Sequence, residues 1–257
     1  MGFSNRLGKV SRLSLFQNSF DLYPTSRFML LPNYQRYRLA VVAQWVVVVA
    51  TVAALVSSGL QYRLLQHALA GIEILPAAAD ANDDRQQLVG GLQLVLTLLA
   101  FIGFISWFAR AYDNLRRIPG APEPAYSPGW AVGAWLVPIL NLWRPLHMLK
   151  EVWYRTQRYA LHHGQGAPAQ DHSLLTGWWI LRIVLFVFGR LVSRAGGSDP
   201  TVEQLLDATT TLLMLDVLNL AYAVLTIVLL QRFRNFEDGL AARYAPDNVP
   251  ATPVSVG

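Results

Sequence analysis

Charged positions are spread very unevenly along this chain. None falls within residues 39–62, 86–109 or 124–143, and residues 208–231 hold only Asp216. A run of about 18 or more apolar residues is long enough to cross the hydrocarbon core of a bilayer as a helix. Backbone groups in hydrocarbon must be satisfied within the segment, and the strand alternation of a barrel is not visible, so the pattern predicts helices. We read four spanning helices, over about 39–60, 88–109, 174–193 and 209–230. The fold class is all-α, a polytopic membrane helical bundle.

The third charge-free stretch behaves differently. It lies within YSPGWAVGAWLVPILNLWRPLHMLKEVW, residues 126–153, where Pro128, Pro138 and Pro145 interrupt any continuous helix. Residues 129–142 would reach about 21 Å at 1.5 Å per residue, short of a core of roughly 30 Å. The pattern predicts a Trp/Pro-rich re-entrant or interfacial segment over about 128–145, with a fifth span as the alternative. An interfacial amphipathic helix follows over about 146–161. It would turn Leu146, Leu149, Trp153 and Tyr159 to the membrane and Lys150, Arg155 and Arg158 outward. Before the membrane domain of 38–236, residues 1–37 read as a cytoplasmic segment with an amphipathic candidate at 3–16. After it, residues 237–257 read as a largely disordered cytoplasmic tail. Spans one and two form a hairpin with an acidic outer loop, as do spans three and four, the pattern of a parallel repeat. Asp199 followed by Pro200 reads as the start of the last helix.

Composition strengthens the membrane reading. Only 14 % of residues are charged, against about 25 % in soluble domains. Of the 21 lysines and arginines, sixteen lie in three segments, 1–38, 110–173 and 231–257. The two loops between hairpin helices hold only Arg63, Arg85 and Arg194, beside several acidic residues. Basic residues mark cytoplasmic loops, so both termini and the 110–173 segment should face the cytoplasm in a bacterial inner membrane. The net charge of +5 then reflects topology, and nucleic-acid binding is not expected. The chain has no cysteine, which excludes disulfides, thiolate catalysis and palmitoylation.

Certain residues of the central stretch also form a signature. Ser127, Pro128, Gly129 and Trp130 make an entry, Trp135 and Pro138 a step, and Asn141, Leu142, Arg144 and Pro145 an exit into an amphipathic helix. This pattern closely resembles that of a bacterial integral-membrane family, domain of unknown function 4328. The upstream WFARAYDNL, the downstream GWW and a last hairpin fit as well, so the resemblance covers about 38–236. It implies a multi-span helical protein of unassigned activity, and it supplies no catalytic residues.

Three constellations are candidates for function. Asn141, Arg144 and His147 could converge on an anion or lipid headgroup at the mouth of the re-entrant element, since Arg suits multidentate anion contacts. The competing reading gives Pro128, Gly129, Trp130, Trp135, Pro138 and Pro145 a shaping and anchoring role and lets Arg144 snorkel. Within the spans, Arg190 and Asp216 have matching depths and are expected to pair, with Asn219 one turn from Asp216. Arg182 would find Asn219 or snorkel. Such a group is either an ion relay or a register lock, and the lock is favoured because a second intramembrane carboxylate is lacking. Gln44 and Gln93 read as interhelical glue. His147, His162, His163 and His172 lack the spacing of a metal site, and no cofactor motif or catalytic constellation appears. The sequence therefore predicts a non-enzymatic membrane module that docks a protein partner on its cytoplasmic face or senses lipid, anionic lipid included. A small transporter or channel subunit is the first alternative. It would need a polar path from Gln93, Asp216 and Arg190 to the re-entrant stretch. A lipid-modifying enzyme is the second.

Overall fold

The computed structural model describes residues 29–160, 171–192 and 200–244. The expectations for residues 3–16, for His162 and His163 and for the last dozen residues lie outside these. Among the described residues all regular structure is helical: α1 (Tyr34–Leu69), α2 (Pro76–Leu115), α3 (Trp130–Leu136), a 3₁₀ turn (Leu140–Leu142), α4 (Arg144–Ala160), α5 (Ser173–Val192) and α6 (Val202–Arg243). Four of these, α1, α2, α5 and α6, are long and apolar enough to cross a membrane. The predicted spans 39–60, 88–109 and 209–230 fall within α1, α2 and α6, and 174–193 coincides with α5 as far as residue 192, the last described there. Among the described residues no fifth helix of spanning length forms: α3 has 7 residues, about 10 Å of helix, and Val137 before Pro138 is extended.

The long helices run well beyond their apolar cores. With 36, 40 and 42 residues, α1, α2 and α6 reach about 54–63 Å. α6 therefore continues through the first seven residues of the predicted tail. It starts at Val202, later than the Asp199–Pro200 pair suggested, because Thr201 and Gln204 form a capping box. Thr201 Oγ1 accepts from the Gln204 N–H at 3.3 Å, and Gln204 Oε1 from the Thr201 N–H at 3.0 Å. Asp171 caps α5 by accepting from the Ser173 N–H at 3.2 Å, and hydrogen bonding from the Ser173 side chain and then its backbone holds the carboxyl below its ordinary pKa. α1 and α2 are joined by a tight connection in which Gly71 has φ +75°, a conformation suited to glycine.

The bundle is inside out compared with a soluble one. On α1 the buried stripe is Ala40, Gln44, Val47, Thr51, Ala54, Ser57 and Ser58, mostly small or polar. Trp45, Val49 and Val56 face outward. Small residues let helices approach closely in lipid, where apolar side chains gain nothing by hiding from their surroundings. A Cβ on Gly103 of α2 would already lie 3.6 Å from the Cα of Ala40. α1 packs along both α2 and α6, and α5 packs on α6, so the row runs α2, α1, α6, α5.

The large-residue core lies at one end. The start of α1, the ends of α2 and α6 and the start of α5 gather there around α4. Asn33 Nδ2 donates to Glu237 at 2.8 Å and to the Trp107 carbonyl at 3.3 Å, and Arg36 donates to the Ser106 carbonyl at 3.0 Å. The described parts of the segments rich in Lys and Arg thus meet at a single end of the molecule. α4 departs from expectation here. Leu149 and Trp153 are fully buried in the protein rather than turned to lipid, with Trp153 edge-on to Phe233 and Phe236 at 5.1 and 4.9 Å.

Candidate functional site: an intramembrane cavity

The signature stretch closes on itself. The guanidinium of Arg144 lies 4.1 Å from the ring centre of Trp130 and 5.1 Å from that of Tyr126, so the exit of the stretch is stacked on its entry. A second clasp sits beside it. Glu151 of α4 accepts from the Tyr112 hydroxyl at 2.8 Å, the Ala125 N–H at 3.0 Å and Arg155 at 2.8 Å, while the Tyr126 N–H donates to the Tyr112 oxygen at 3.0 Å. The proline-rich strap before the signature is thereby tied to α2 and α4. Between the two ends, Leu136 (72 % exposed) and Ile139 (68 %) form an apolar tip with Trp143 beside them.

The inner side of the stretch carries Trp135. Its ring is only 5 % exposed and stands edge-on to Phe101, Phe104, Phe108 and Trp179, with centres 5.5–6.1 Å apart. Edge-to-face packing at this spacing is favourable beyond the area it buries. Trp135 also forms one wall of a cavity of about 500 Å³ enclosed by α1, α2, α3, α5 and α6. That volume is within the range of small-molecule sites. α2 and α5 meet through Phe104 and Trp178 (5.7 Å) but do not pack along their length, which leaves the cavity a flank between them.

Polar groups enter this cavity from several helices. Asp216, Asn219, Tyr222 and Thr226 are spaced three to four residues apart and line it from α6; Gln44 and Thr51 do so from α1, and Gln93 from α2. Gln93 Nε2 donates to Asp216 Oδ1 at 2.9 Å and lies 3.4 Å from Thr51 Oγ1. The glue expected of Gln93 is thus a bridge from α2 to α6 and α1. The cation in the cavity is Arg182. Its Nη2 donates to Asn141 Oδ1 at 2.9 Å, and its guanidinium lies 5.1 and 4.8 Å from the ring centres of Trp135 and Trp179. Trp179 donates in turn to the Leu142 carbonyl at 3.0 Å.

The sequence candidates therefore sort differently from expectation. Asn141, Arg144 and His147 have separate surroundings: Asn141 is held by Arg182, Arg144 lies on aromatic rings, and His147 is exposed. Asp216 and Asn219 share the cavity, as their spacing suggested. The hydrogen-bond partner of Asp216 is Gln93, and Arg182 rather than Arg190 is the arginine lining the same space. Arg182 reaches Asn141 instead of Asn219 because the signature stretch folds beneath it. Tyr222, Thr226 and Trp179 join the site only through the fold. The polar stripe 216, 219, 222, 226 is the trace they leave in the sequence. Among the described residues no cluster of His, Asp or Glu could hold a metal ion.

No curated protein and no solved structure matches this chain. A family model described as Domain of unknown function (DUF4328) matches residues 70–235, well over half of the 257. The match begins at the α1–α2 connection, later than the resemblance suggested, so α1 lies outside it while the signature and every element from α2 to the core of α6 lie within. The chain belongs to the DUF4328 family.

Proposed function

We propose that this protein is a non-enzymatic lipid-sensing module of the bacterial cytoplasmic membrane, and that its sensor is the cavity between α2 and α5. Both termini and the basic end face the cytoplasm, and residues 128–145 enter and leave the bilayer on that side. The observation that carries the reading is a cavity of about 500 Å³ within the spans, walled largely by apolar side chains and holding one carboxylate and one guanidinium. Ionisable groups are costly at such depth and usually mark function. The flank between α2 and α5 gives lipid a sideways path in. Described residues lining the cavity include no histidine, serine or second carboxylate, so the lining offers little for acid–base or nucleophilic chemistry. Positive-inside bias and the gathering of basic segments at one end support the orientation. The stack of Arg144 on Tyr126 and Trp130 and the apolar tip at Leu136 and Ile139 support re-entry.

A transporter is the second reading. The lining extends along α6 from Leu212 to Thr226, about 21 Å of a core of roughly 30 Å, and meets Trp135 of the signature stretch. This resembles the polar path such a protein needs, with Arg182 in the place expected of Arg190.

The test is to block the cavity. Thr97 lines it from an exposed position on α2. Thr97→Trp should leave the fold intact and strip co-purifying lipid, read by native mass spectrometry. Unchanged lipid retention would refute the sensor reading. Solute flux in proteoliposomes that stops in Thr97→Trp would favour the transporter instead.

A further inference from the structure

We infer that the ligand of this cavity is a zwitterionic phospholipid with its phosphate on Arg182 and its ammonium on Asp216. The inference rests on the lipid reading above and adds the headgroup. Its basis is that two opposite charges face one cavity while each is held by neutral partners. Asp216 is 9 % exposed and takes one hydrogen bond, from Gln93 to Oδ1, which leaves Oδ2 without a partner among the described residues. Arg182 uses Nη2 on Asn141 and lies against two indole faces. Nε–H, both N–H groups of Nη1 and the second N–H of Nη2 remain as coplanar donors suited to phosphate oxygens.

The heights of the two groups fit a headgroup with a short linker. Asp216 and Tyr222 are six residues apart on α6, about 9 Å along its axis. Tyr222 stacks on Trp178 at 5.4 Å, one turn of α5 from Arg182. Because the start of α5 meets the end of α6, the two helices run antiparallel, and Arg182 stands about 6 Å from Trp178 toward the level of Asp216. The two residues thus differ in height by about 3 Å, which an ammonium and a phosphate joined through two carbons can bridge. A buried charge without a counter-charge is expensive, and one bridging zwitterion would neutralise both. Leu94, Leu98 and Leu185 line the same space on the helices that flank the opening, where acyl chains would leave.

Asp216 also sets the selectivity. A primary ammonium donates hydrogen bonds to a carboxylate, a quaternary one has none to donate, and a glycerol headgroup has no positive charge. Protein purified without lipid should be mixed with phosphatidylethanolamine, phosphatidylcholine and phosphatidylglycerol of one acyl composition and read by native mass spectrometry. Phosphatidylethanolamine should be retained about tenfold over phosphatidylglycerol, the effect of one charge-assisted contact. Asp216→Asn, which can still accept from Gln93, should bring the ratio close to one. Arg182→Lys, which keeps the charge and loses the fork, should weaken both lipids and leave their ratio. Equal or preferential retention of phosphatidylglycerol, or a ratio unmoved by Asp216→Asn, would overturn the headgroup assignment. The cavity reading would survive that result if Thr97→Trp still expelled lipid, and would fall only if it did not. Displacement of bound lipid by soluble phosphoethanolamine at equal concentration would overturn the lipid assignment in favour of a free zwitterion.

Discussion

Arg144 illustrates how a charge in a membrane signature can act through its plane as well as its sign. Its guanidinium covers Trp130 and Tyr126, the entry of the stretch whose exit it forms. Its Nη1 is buried without a hydrogen-bond partner among the described residues, so the aromatic faces carry much of its stabilisation. Arg144→Ala should lower stability in detergent by about 1–2 kcal/mol, the worth of a partly desolvated cation–π pair. Arg144→Lys should recover only part of this, because an ammonium cannot lie flat on two rings. A thermal melt of both variants checks the order. If lysine restored full stability, the stack would have no special worth and charge alone would explain the residue.

At the scale of elements, packing rests on small residues where helices touch and on aromatics where they end. Gly103 marks a close approach of α2 to α1. Gly103→Leu should force the two helices apart and cost about 1–3 kcal/mol. Gly59 of α1 offers the contrast, since a Cβ there meets nothing within 4 Å. Gly59→Ala should be neutral or stabilising by up to about 1 kcal/mol, from helix propensity alone. Parallel melts in detergent separate the two cases. Aromatic packing gives the short α3 its fixed place: seven residues would not hold a helix alone. Trp135 anchors it among the rings of α2 and α5.

For the whole molecule, the decisive question is which way the basic end points. The absence of native cysteine makes this directly measurable. Single cysteines at the exposed positions Ser127 and His147 should both be protected from an impermeant maleimide in intact cells. Asp83→Cys, at the opposite end of the bundle, should label, and Asn235→Cys should not. Labelling of 147 with 127 protected would mean that the stretch crosses the bilayer, and the re-entrant proposal would be lost. Labelling of 127, 147 and 235 together would invert the orientation argued from the basic residues.

By itself the sequence determined the helical class, the number of helices long and apolar enough to span, and the segregation of Lys and Arg into segments whose described parts meet at one end. These follow from local properties: hydropathy over twenty residues and the placement of charge need no knowledge of neighbours. It also marked Asp216, Asn219, Gln93 and the signature as exceptional, because polar groups and prolines within apolar runs are costly. Their partners were decided only by tertiary structure. Depth along a helix predicted Arg190 for Asp216, but depth is one coordinate, and rotation about each axis and the order of the row set the others. That order brought Gln93 to Asp216 and Arg182 into the cavity. In the same way, an amphipathic pattern fits a helix on lipid as well as one on protein. The apolar face of α4 went to protein because the long ends of α2 and α6 extend far enough to cover it.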